Sequence, residues 1–232
     1  MQSPNPMMAQ PLASTTLALA QNRVLRNTYW LLALSMVPTV IGAWLGIQLK
    51  FAFFPANPAI GFIAFLAIAF AFMFGIEKTK NSGWGVALLL GFTFFMGLML
   101  SRLLGLVLGF SNGASLIGLA FGGTAIIFAT MATLATTIKR DLSGMGKFLF
   151  VGMIMALVAA FANIFLAIPA LAIAISLIVI AIFSAYMLYD VNRIVTGGET
   201  NYITATLAIY IDIYNVFVNL LAILGITGGS SD

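Results

Sequence analysis

Six long uncharged stretches dominate the chain: Asn27 to Leu49, Phe51 to Ile76, Asn81 to Ser101, Leu103 to Ile138, Phe148 to Tyr189 and Thr200 to Ser231. Most of them exceed the ~20 residues that a helix needs to span a bilayer. Charged residues stand between the stretches, singly or in short clusters, and only Asp212 lies inside one. Breakers divide the stretches further: Pro55 and Pro58, the run Ser111, Asn112 and Gly113, then Pro169, then Gly197 and Gly198. The resulting pattern predicts an all-α, polytopic membrane protein with transmembrane helices at about 29–49, 59–76, 85–101, 116–138, 148–168, 170–189 and 202–224. Leu103 to Phe110 reads either as an interfacial segment or as a continuation of helix 3 with Arg102 snorkelling. Trp84 is placed as an interfacial anchor.

Composition sharpens this reading. Of 232 residues, 62% are hydrophobic and 7% charged, and the mean hydropathy is +1.12. A soluble core of this size would be wrapped in charge; here lipid must be the solvent for most of the chain. The net charge of +4 invites a nucleic-acid reading, but topology explains it. With the N-terminus in the cytoplasm, the inner segments hold Arg23, Arg26, Lys78, Lys80, Lys139, Arg140, Lys147 and Arg193, and the outer ones hold Lys50 and Arg102. Seven spans then put Asp232 outside. Residues 1–22 are rich in Gln, Pro, Ser, Thr and Ala, which reads as a flexible cytoplasmic tail ahead of a transmembrane domain over 23–228. The chain has no Cys and no His, so the usual thiolate and imidazole sites for metals, haem or iron–sulfur clusters are absent and no cofactor is expected.

Glycines recur four apart as Gly42 with Gly46, Gly105 with Gly109 and Gly118 with Gly122, which suits close helix packing within the bundle or a dimer interface. Gly118 to Gly123 has no following lysine and no preceding strand, so a phosphate loop is not supported.

Asp212 is the most informative residue, because a carboxylate near mid-membrane costs roughly 2.5 to 3.5 kcal/mol even on lenient insertion scales. Asn215 and Asn219 follow at i+3 and i+7, so the three polar groups form one stripe that should face the bundle interior or an aqueous cavity. That stripe fits an ion or proton site, with a structural polar clamp as the alternative. Helix 6 ends with Tyr186, Asp190 and Arg193 on one face, where Asp190 and Arg193 have the spacing of a simple i, i+3 pair. Helices 6 and 7 are antiparallel neighbours, so Asp190 and Asp212 can converge; two carboxylates in a poorly solvated site share a proton and respond to pH. Upright helices would place Asp212 some ~10 Å deeper than Asp190, so convergence needs tilt, a break or a cavity. No nucleophile–base pair is spaced for catalysis. Val191 and Ile213 stand where intramembrane aspartyl proteases carry a glycine after each aspartate, so the chain does not read as an enzyme.

Several runs of residues resemble the Bax inhibitor-1 family. They are Tyr189, Asp190, Val191, Asn192; the turn Gly197, Gly198, Glu199, Thr200, Asn201, Tyr202, Ile203; and Tyr210 to Phe217 followed by Leu220 and Leu221. Val24 to Tyr29, Gly122 to Ala125, Lys139 to Ser143 and Ala162 to Leu166 match too, so the resemblance covers nearly everything after the first 22 residues. It implies a seven-helix fold with the last helix surrounded by the other six. It also brings two activities. An enterobacterial inner-membrane branch binds and modulates the membrane-anchored ATP-dependent protease FtsH. Other bacterial members are pH-sensitive calcium leaks controlled by two aspartates, which Asp190 and Asp212 match, so Ca2+ would be held between those two. The leak members also carry an arginine late in helix 2, where this chain offers Glu77 and Lys78.

Overall fold

The computed structural model describes residues 6–51, 53, 57–138 and 140–229, with side chains from residue 19 onward. Among them are seven helices and no strand: α1 (Pro6–Gln48), α2 (Pro58–Thr79), α3 (Gly83–Leu108), α4 (Gly113–Thr137), α5 (Met145–Leu166), α6 (Pro169–Thr196) and α7 (Tyr202–Gly228). All seven are long and apolar enough to cross a membrane, α1 through its segment Leu19–Gln48. The chain is therefore a polytopic membrane protein. Of the sequence expectations, Pro55, Lys139, Asp232 and residues 1–5 of the tail lie outside the described residues. From Pro6 onward the backbone is helical, so the segment read as a tail is carried into α1.

The ends of the helices follow from local chemistry. Asn57 caps α2 by accepting from the Ile60 N–H at 3.2 Å, with Pro58 in the first turn, where its missing N–H is harmless. Helix α3 continues through Arg102 to Leu108, so the run after Arg102 is helix and not a separate interfacial segment. Helix α5 stops at Ala167, which takes a left-handed φ of 51°; the Asn163 side chain then accepts from the Ile168 N–H, and Pro169 opens α6. Helix α6 runs seven residues past the expected end at Tyr189, to Thr196, because the polar residues there are held by partners instead of marking a boundary. It stops at Gly197, whose φ of 84° is cheap only for glycine.

Lipid tails are as apolar as the side chains, so close approach and polar bonds hold the helices together more than burial does. Helices α1 and α3 pack backbone to backbone: a Cβ on Gly97 would sit 2.1 Å from the Thr39 carbonyl oxygen, and one on Gly42 would sit 2.3 Å from that of Phe94. Gly42 and Gly46 thus serve internal packing, whereas a Cβ on Gly118 or Gly122 would meet nothing within 4 Å. Pro38 has no N–H to give the α1 ladder, and two hydroxyls beside it bond back along the helix. Ser35 Oγ donates to the Leu31 carbonyl at 2.8 Å, and Thr39 Oγ1 donates to that of Ser35 at 2.9 Å.

Helix α7 touches α1, α2, α3, α4 and α6, whereas α5 meets α2 and α6. Its inward residues Ile203, Leu207, Ile209 and Tyr210 join Leu89, Phe92, Val191 and Ile194 in the main core. The Tyr210 hydroxyl is 2.8 Å from Thr39 Oγ1, and the Tyr214 hydroxyl donates to the Met96 carbonyl at 3.0 Å, tying α7 to α1 and α3. The outer faces of α4 and α5 are apolar and exposed, with Phe121, Phe148, Met155 and Phe165 as examples. That is the surface a bilayer requires. Trp84 is exposed at the start of α3, where an interfacial anchor belongs.

Candidate functional site

Asp190 stands six residues before the end of α6 and Asp212 ten residues after the start of α7. Because α6 extends to Thr196, their offset along antiparallel helices is about 6 Å instead of ~10 Å, which ordinary helix crossing accommodates. The two carboxyls lie within hydrogen-bonding reach of each other. Both residues are buried, Asp212 at 3% relative exposure. Apart from the Asp190 carboxyl, no described residue donates a hydrogen bond to Asp212 Oδ2. Close by, Phe183, Met187 and Val216 form an apolar cluster with Ile127, Phe128 and Met131 of α4, so one side of the pair is apolar.

Arg193 closes the site on its solvent side. Its Nη1 is 3.7 Å from Asp190 Oδ1 and its Nη2 is 3.7 Å from Glu199 Oε2, so one guanidinium spans the buried acid and the α6–α7 turn. Tyr186, one turn before Asp190, lies close enough to feel both carboxylates and stacks its ring edge against Tyr189. Tyr189 in turn lies under the Arg193 guanidinium at 5.6 Å. From α2, Glu77 pairs with Lys80 and Lys78 sits over the Phe74 ring. The cation beside the aspartates is thus supplied by α6 itself.

Asn215 and Asn219 are half-buried on α7. Each side-chain amide donates one turn back along α7, to the Ile211 and Asn215 carbonyls at 2.9 and 2.8 Å. These are intrahelical bonds.

Three residues outside the expected set link the site to the loops. Asn192 is fully buried; its amide donates to the Ile138 and Arg140 carbonyls, both at 3.2 Å, and its Oδ1 accepts from the Leu142 N–H at 3.1 Å. It therefore fastens the α4–α5 loop to α6. In that loop the Ser143 hydroxyl and amide donate to Asp141 and hold its carboxyl below the usual carboxylate range. Glu199 Oε1 accepts from the Thr200 and Asn201 N–H groups. Asn201 caps α7 through its Oδ1, and its amide reaches the α2–α3 loop at Lys80 O (3.0 Å) and Asn81 Oδ1 (2.9 Å). The sequence signal for all three was the polar run around Gly197 and Gly198, with more hydrogen-bonding side chains than a simple turn uses.

Contacts thus run from Asp212 through Asp190, Arg193, Glu199 and Asn201 to the loop between α2 and α3. These features define a seven-helix membrane protein with a buried aspartate pair connected to the loops at one end of the bundle. A family model described as "Inhibitor of apoptosis-promoting Bax1" matches residues 21–229. The chain belongs to that family, the Bax inhibitor-1 family. It is 39% identical over 210 residues to an Escherichia coli protein named "Modulator of FtsH protease YccA", covering 90% of this chain and 93% of that one. An uncharacterised protein of Neisseria meningitidis is 39% identical over 212 residues, with the same two shares. An uncharacterised membrane protein of Vibrio cholerae is 36% identical over 222 residues, 96% of this chain and 97% of its own.

Proposed function

We propose that this protein is a bacterial inner-membrane partner of an FtsH-type, membrane-anchored ATP-dependent protease, which it binds and whose proteolysis it modulates. The observation that carries the reading is the near full-length similarity to the E. coli protein named for that role; the same protein from a second strain is named an inner membrane protein. The bundle end that holds Arg23, Arg26, Lys78, Lys80, Arg140, Lys147 and Arg193 faces the cytoplasm, with the N-terminus on that side and the C-terminus outside. ATP is available there. Residues ahead of Leu19 then supply a handle for the protease, and the loops fastened by Asn192 and Asn201 present a fixed surface to it. Solubilising cells that express the tagged full-length chain, and isolating it in mild detergent, should bring FtsH with it. Recovery of no FtsH, under conditions that retain other FtsH partners, would overturn the reading.

A second activity is compatible with the first: a pH-gated leak for cations, calcium foremost, with Asp190 and Asp212 as sensor. The facing carboxyls, with no other donor among the described residues at Asp212 Oδ2, favour it. At low pH one proton lies between the carboxyls; when both ionise they repel, which biases α6 away from α7. Calcium flux into proteoliposomes across a pH series should lose its pH dependence in Asp212→Asn. A flux that is the same at every pH in the unmodified protein would reject the sensor.

A further inference from the structure

Antiparallel threading places the described acids Glu77, Asp141, Asp190 and Glu199 toward the end of the bundle that carries the basic loops, with Asp212 within α7. The opposite end has two cations, Lys50 just past α1 and Arg102 near the end of α3, and no acid among the described residues. Both line one open groove of about 370 Å³, with Gly46, Ser101, Gly105 and Leu106 among its walls. Neither side chain has an ion pair or hydrogen bond among the described residues, and Ser101 Oγ is already committed to the Leu98 carbonyl. Both side chains are exposed, and two cations from separate helices bordering one groove form a local positive patch that attracts an anion.

The backbone holds them there. Phe51 N–H donates to the Gly46 carbonyl and Lys50 N–H to that of Ile47, which ends α1 in the motif that normally carries glycine. Lys50 occupies that position with a left-handed φ of 50°. The spacing of α1 and α3 is fixed by the backbone contacts at Gly42 and Gly97. A Cβ on Gly105 would meet nothing within 4 Å, so that wall of the groove has room for a larger side chain.

We infer that Lys50 and Arg102 form a binding site for a phosphate anion, supplied by the headgroup of an anionic phospholipid in the leaflet at this end. The apolar walls, with Leu106 exposed beside them, suit a headgroup whose acyl chains continue along α3. The cations suit its phosphodiester, Arg102 as a planar fork and Lys50 as a point charge.

The test uses full-length protein in neutral detergent, with retention of added phosphatidylglycerol, phosphatidylcholine or inorganic phosphate measured by native mass spectrometry and thermal shift. Phosphatidylglycerol should be retained in preference to phosphatidylcholine. Lys50→Gln and Arg102→Gln should each weaken its retention about fivefold, and the pair about 25-fold. Gly105→Leu keeps both charges and fills the groove, so it should also release the lipid. Lys78→Gln, at the far end, should leave these values unchanged. Equal retention of phosphatidylcholine, or undiminished phosphatidylglycerol in the double variant, would overturn the site. A shift with inorganic phosphate alone that Lys50→Gln and Arg102→Gln abolish would keep the anion site and overturn the lipid as its source.

Discussion

Asp190 and Asn192 stand two positions apart on α6 and face different partners: Asp190 meets the carboxyl of Asp212 on α7, and Asn192 grips the loop between α4 and α5. Two steps along an α-helix turn the side chain by about 200°, so one short run of α6 addresses both sides of the helix. Any rotation or translation of α6 that separates the carboxyls must also pull on that loop.

The first prediction concerns Asn192. Replacing it with alanine leaves the Leu142 N–H and the Ile138 and Arg140 carbonyls without their side-chain partner. These loop groups are only partly buried and water can replace the side chain, so each lost hydrogen bond costs about 0.5–1.5 kcal/mol. Asn192→Ala should lower the unfolding temperature in detergent and expose the 138–144 loop to limited proteolysis, while Asn192→Asp keeps the acceptor but turns a carboxyl oxygen toward two carbonyls in a fully buried site, so it should be no more stable than the alanine variant. A variant with unchanged protease resistance would show that the loop is held by other contacts.

The second prediction separates glycines that pack from glycines that only occur. Gly97→Ala drives a Cβ into the Thr39 carbonyl and must push α1 from α3, at a cost of about 1–3 kcal/mol from overpacking. Gly118→Ala meets nothing within 4 Å and gains helix propensity of up to about 1 kcal/mol. Thermal unfolding of the two variants should therefore move in opposite directions.

That contrast also marks how far the sequence can be read. Seven spans were legible because uncharged runs of that length fit only a bilayer, and Asp212 stood out because a carboxylate in such a run needs a reason. The end of α6 was not legible: charge at Asp190 and Arg193 reads as a boundary, yet both are absorbed by partners from α7 and the turn. The identical four-residue spacing of Gly42 with Gly46 and of Gly118 with Gly122 cannot say which pair faces a neighbouring backbone; only the arrangement of α1 against α3 decides it. Likewise the stripe from Asp212 to Asn219 fixes a face of α7 but not whether the amides reach across or fold back on their own helix.

Asn201 provides the third prediction. Its Oδ1 caps α7 and its amide bonds the α2–α3 loop, so alanine there removes an N-cap worth about 0.5–2 kcal/mol together with the tie to Lys80 and Asn81. Asn201→Asp keeps the cap and loses the tie. Hydrogen exchange should then separate the two roles. The first turn of α7 loses protection in Asn201→Ala only, whereas the loop at Lys80 to Ser82 loses it in both.

The last prediction tests whether Arg193 serves the buried acid or the turn. Glu199→Gln retains an oxygen for the Thr200 and Asn201 N–H groups and gives up only the outer ion pair, a change of about 0–1 kcal/mol at a partly exposed site. Arg193→Met removes the countercharge from Asp190 while Asp212 still faces it. Stripping one partner from a fully buried pair costs about 3–5 kcal/mol, and the 34% exposure of the Arg193 side chain brings the expectation down to about 1–3 kcal/mol. Unfolding in detergent at neutral pH should therefore rank Arg193→Met well below Glu199→Gln. Adding Asp190→Asn to Arg193→Met should restore part of the loss, because the charge left without a partner is then gone. If the double variant is no more stable than Arg193→Met, Arg193 acts through its packing on Tyr189 and not through the aspartate pair.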